Sequence, residues 1–228
     1  MKPIRTKKGF TLPEILVVLS ISVVVGTMSS SFLIESMRVS LGITNNLDIE
    51  LSIRKITNEL SDEALEANSF IIYQTYFDAG HAISGSFRSP ALGVAAADYR
   101  IRRGESGNFC LFIYNGIDPT PSDSNPAPIE RLVGYYLNTE AEADAQEILK
   151  FNVSVPTSDQ YAAFESLIPS PAASSTHEVV VPRANGLISG SLFYNLYDKS
   201  VMVNGEIIHG TPSKQSSGTY NFTVSPRG

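Results

Sequence analysis

The residues that say most about chemistry stand near the start of the chain. Glu14 follows Gly9 by five positions and directly precedes an uncharged run from Ile15 to Ile34. A carboxylate at the edge of so apolar a stretch is costly and needs a positive partner. Cutting the chain between Gly9 and Phe10 would create one, the new α-amino group of Phe10, on the same chain or on a neighbour. If the chain were cut there, Phe10 would supply the amine and Glu14 the counter-charge of a pairing, chemistry of assembly and not of catalysis.

Elsewhere the residue types capable of catalysis or metal binding are scattered. His81, His177 and His209 lie in unrelated contexts, with no HxxxH, HExxH or CxxC spacing to build a zinc site. The sequence has no P-loop, no GxGxxG after a strand and no GxSxG elbow. The expectation is a protein that is not an enzyme and uses no cofactor and no metal. Asp118 and Asp123 fall in the proline-rich stretch 116–128 and could offer oxygen atoms to Ca²⁺, but calcium takes roughly six to eight such ligands, and a solvated loop is the plainer reading. Arg100, Arg102 and Arg103, beside Tyr99, form the dense basic patch outside the N-terminal leader. Such a patch could meet DNA phosphates, yet the alternation of Arg100 and Arg102 reads more simply as the wet face of a strand. Cys110, the single cysteine, sits in the apolar run 109–114, can form no disulfide within the chain and is expected to be a buried small hydrophobe.

The element that must position Glu14 is a helix. Twenty uncharged residues at about 1.5 Å of rise each span roughly 30 Å, one bilayer core. Lys2, Arg5, Lys7 and Lys8 crowd one end and the first charge at the other is Glu35, so the basic flank is expected in the cytoplasm and the rest of the chain outside it. The small-residue cleavage site that usually ends a secretory signal is missing from the end of this run. Within it, Ser22, Gly26 and Ser30 repeat at four-residue spacing, which either makes a small-residue face for close helix packing or reflects composition alone. The stretch 26–31 (GTMSSS) is the poorest helix former of the span, and the expectation is a helix continuous in the free protein and partly unwound on assembly.

Lys8-Gly9-Phe10-Thr11-Leu12-x-Glu14 followed by the apolar helix resembles the prepilin N-terminus shared by type IV pilins and type II secretion pseudopilins. The resemblance implies cleavage after Gly9 by a prepilin peptidase, N-methylation of Phe10, and assembly with other pilin or pseudopilin subunits into a filament. There Glu14 would face the Phe10 amine of an adjacent subunit, a pairing with no use for an obligate tip subunit. The competing reading is an uncleaved signal anchor. Pro13 does not oppose a helix starting at Phe10, because the first backbone N–H groups of a helix have no acceptor within it. Further along, the segment 51–60 (LSIRKITNEL), the run 133–137 (VGYYL) and the length resemble the larger minor subunits, the J-like pseudopilins and W-like minor pilins. The lone cysteine departs from the C-terminal disulfide loop of many major pilins.

The chain has 228 residues, 17 basic and 23 acidic. Without the four basic residues of the leader, 13 basic residues face 23 acidic ones, a net charge of −10 that disfavours nucleic acid as a partner. The expected division is a leader over 1–9, a membrane and filament-core helix over 10–34, an amphipathic helix over 35–68, and one β-rich exported domain over 69–228. In the second helix Ile49, Ile53, Ile56, Leu60, Ala64 and Ala67 recur at three- and four-residue steps, which predicts an apolar stripe lying on a sheet. Arg54, Lys55, Glu59, Asp62 and Glu63 are expected on a solvated face. Beyond it, short β-rich runs appear at 70–77, 109–115, 132–138, 148–155 and 178–181. The C-terminal third predicts strands at 192–197, 201–203 and 206–209, separated by Asp198-Lys199-Ser200 and by Asn204-Gly205, the latter as a type I′ hairpin turn, and a half-buried strand carrying Tyr220, Phe222 and Val224. The fold class expected is α+β, a long N-terminal helix on a mainly antiparallel sheet. The function expected is that of a structural filament subunit at the inner membrane, with a pilus-borne binding module for secreted substrate, surface or DNA as the alternative.

Overall fold

The protein is described here by a computed structural model, which places residues 11–76, 100–116, 127–138, 146–162, 164–169, 176–211 and 214–227. Gly9, Phe10, His81, Tyr99, Asp118 and Asp123 lie outside the described residues. The chain divides into two compact units between residues 45 and 46. Helix α1 runs from Leu12 to Glu66 and supplies all the described secondary structure of the first unit.

In the second unit α1 buries Ile49, Ile56, Leu60 and Ala64, with Ala67 just past its end and Ile53 partly covered, so the expected apolar stripe is the face that packs. The strands form two antiparallel sheets. The first has the order β1-β3-β4-β5-β6, built from β1 (Ser69–Tyr73), β3 (Phe109–Asn115), β4 (Ile129–Asn138), β5 (Glu147–Ser154) and β6 (His177–Val181). The second has the order β10-β9-β8-β2, with β7 also against β9; its members are β2 (Ser106–Gly107), β7 (Ala184–Gly186), β8 (Phe193–Leu196), β9 (Ser200–Thr211) and β10 (Lys214–Val224). A single helical turn, α2 (Phe164–Leu167), completes the elements.

The inner strand β3 reads as an unbroken apolar run because both of its faces are covered. Cys110, Phe112 and Tyr114 join the core shared with α1, Val133, Tyr135 and the second sheet. Phe109, Leu111 and Ile113 join a second core with Leu132, Tyr136, Phe151, Val155 and Ile168. Gly134 of β4 makes room for the rings of its flanking strands, since a Cβ there would collide with Phe151 of β5 and Phe109 of β3.

Two expectations need correction. Asn204-Gly205 is not a turn: β9 runs straight through it, and glycine is needed because a Cβ at Gly205 would come within 2.5 Å of the Tyr220 hydroxyl and 2.9 Å of Leu192. A tight turn falls at Tyr197 and Asp198, both at φ 57°, overlapping the break expected at 198–200, where Lys199 N–H donates to Leu196 O at 3.1 Å. The charged residues of the second helix are also not all solvated. Glu63 turns toward the first sheet, where Lys150 of β5 donates to it at 2.8 Å, Arg131 of β4 lies at 3.4 Å and the Tyr114 hydroxyl of β3 donates to it. Glu59 reaches Lys150 at 4.0 Å and Glu66 reaches Arg131 at 3.1 Å.

This clasp fixes the charge state of Glu63. Burial works against its carboxylate, but the hydrogen bonds from Lys150 and Tyr114, with the charges of Lys150 and Arg131, together hold it below the ordinary value of 4.5. Folding lowers this pKa, so the contribution is complete above the ordinary carboxylate range and is lost as pH falls below it and through the folded value. Glu63→Gln is expected to destabilise the fold by about 1–3 kcal/mol at neutral pH. It should also flatten the loss of stability below pH 4.5. Urea denaturation of both proteins as a function of pH measures this; parallel profiles would contradict the clasp.

Candidate functional site

Helix α1 starts at Leu12 rather than at position 10, because Thr11 takes the capping position. Ile15 N–H donates to Thr11 O at 3.2 Å, the first turn of the ladder. Glu14 reaches back across that turn: its Oε2 accepts the Thr11 backbone N–H and the Thr11 hydroxyl, each at 2.8 Å. The T-x-x-E spacing with a carboxylate returning to the cap is half of a capping box. Pro13 falls inside the first turn, where its missing donor breaks no helical bond, as expected. Glu14 therefore has a local structural task that its position beside an apolar run did not reveal, although Thr11-x-x-Glu14 was there to be read. Among the described residues nothing donates to its Oε1.

Past Glu14 the helix carries its apolar side chains outward on all sides. Ile15, Leu19, Val23, Phe32 and Ile34 are each more than half exposed, and no part of the apolar window is buried within the chain. The helix is long and apolar enough to cross a membrane. Its hydroxyls do not oppose this. Ser20 donates to Leu16 O, Ser22 to Val18 O and Thr27 to Val24 O, each at 2.8 Å, and Ser31 to Thr27 O at 3.0 Å. Each of these protons is satisfied inside its own helix, as a hydrocarbon surrounding requires. Ser22, Gly26 and Ser30 lie on this continuous helix with open space around Gly26. The weak stretch 26–31 is helical throughout, which agrees with the expectation for the free chain.

Val39, Ile43, Leu47 and Leu51 extend the outward apolar surface beyond the span. They recur every four residues, a helix-packing ridge. The sequence reading passed over this row because it counted only the stripe that faces the sheet.

The basic patch is taken apart by the fold. Residues 101–105 form a turn, not a strand. The Arg100 guanidinium lies 2.7 Å from Glu165, which also accepts the Tyr73 hydroxyl at 3.0 Å. Burial opposes the Glu165 charge, but the hydrogen bond and charge of Arg100, with Tyr73, hold its pKa low. Arg103 pairs with Asp198. Cys110 is fully buried, as expected, and burial pushes its thiol up, out of reach of thiolate chemistry. His177 Nδ1 lies 3.1 Å from the Tyr136 hydroxyl in an aromatic cluster, and His209 sits apart on β9. Among the described residues no three His, Cys, Asp or Glu side chains converge as a metal site would need.

No curated protein and no solved structure matches the chain significantly. A family model does match its start, the prokaryotic N-terminal methylation motif, over residues 4–30. That interval contains Arg5, Lys7 and Lys8 of the leader, Gly9, Phe10, the Thr11–Glu14 cap and most of the apolar run. The chain thus carries a prepilin-like N-terminal methylation motif, of the kind shared by type IV pilins and pseudopilins, at the head of an α+β protein.

Proposed function

We propose that this protein is a structural filament subunit, made as a precursor, cut after Gly9 by a prepilin peptidase and N-methylated on Phe10. It is held in the inner membrane by the first half of α1 with the leader cytoplasmic and the β-rich unit periplasmic, and it joins other pilin or pseudopilin subunits through that helix. The observation that carries the reading is the motif match over 4–30 on a helix whose apolar surface its own chain leaves bare. Such a surface needs lipid before assembly and other helices after it. Glu14 then has two tasks. Oε2 caps its own helix, while Oε1 is left to receive the Phe10 amine of an adjacent subunit. Ser22, Gly26 and Ser30 supply a face for close helix approach, and the row from Val39 to Leu51 extends the contact. The segment 51–60, the run 133–137 and the chain length are what favour a minor, J-like or W-like subunit. Arg100 and Arg103 are each held by a carboxylate, which gives a DNA-binding reading no support from their charge.

Two outcomes test this. With Gly9→Ala, the chain isolated from a host with a prepilin peptidase should keep Met1 at its start, whereas the unaltered chain should begin at a methylated Phe10 by intact-mass measurement. An unaltered chain that also keeps Met1 contradicts the processing. The two tasks of Glu14 separate by substitution. Glu14→Gln can still accept the Thr11 amide but carries no charge, so it should insert normally and fail to enter filaments; Glu14→Ala should lose both tasks, with a cap loss of about 1 kcal/mol seen as faster amide exchange in the first turn. Filament recovery at the unaltered level with Glu14→Gln would leave the cap as the whole role.

A further inference from the structure

We draw no further inference here: the strongest candidate, the outer edge of strand β10 in the second sheet, is unpaired among the described residues, and nothing in the structure shows what covers it.

Discussion

Helix α1 carries no charge from Ile15 to Ile34, and among the described residues nothing covers its apolar side chains. Burying a side chain such as Leu or Val stabilises by about 1.5–3 kcal/mol, and none of the described residues supplies that burial here. Other features of the segment are consistent with hydrocarbon surroundings. Ser20, Ser22, Thr27 and Ser31 return their protons to their own helix, and Thr11 and Glu14 close its first turn. Among the described residues nothing donates to the second carboxylate oxygen of Glu14, and the apolar surface of the helix is bare.

The β-rich unit solves the opposite problem, which is to hold the second half of the same helix against a sheet. Apolar contacts of Ile49, Ile56, Leu60 and Ala64 provide the bulk of the attachment. Glu63 adds direction. A carboxylate taken partly out of water is costly unless it is paired and hydrogen-bonded, and Glu63 meets Lys150, Arg131 and Tyr114 from three adjacent strands. A helix rotated or shifted along its axis would leave that charge without partners, so the ion pairs select one seating among those the apolar stripe would allow. The same logic disperses the arginine patch: Arg100 is drawn to Glu165 beside Tyr73, and Arg103 to Asp198 at the β8–β9 turn.

The described residues of the β-rich unit gather its histidines, acids and cysteine into no reactive group, and its least protected feature is backbone. Among the described residues, β10 pairs with β9 without a register shift and carries no charge from Gln215 to Val224, while the other edges are shortened, bridged or bulged.

Sequence alone determined the processing motif, the span, the stripe on the second helix and most of the strands, because these depend on local spacing: charge against apolar run, three- and four-residue steps, and β-rich runs between turn-formers. Strand β3 was legible to the residue for that reason. Tertiary structure decided what depends on distant partners. Asn204-Gly205 carries a strong local turn signal, yet the ring of Tyr220 requires a glycine inside a strand there. Glu63 looks like any charged residue on a wet face until Lys150, eighty-seven positions later, is folded against it. The division of the strands into two sheets, the two-sided burial of β3 and the exposure of the β10 edge follow from pairings between residues far apart in the chain, and no short-range pattern encodes them.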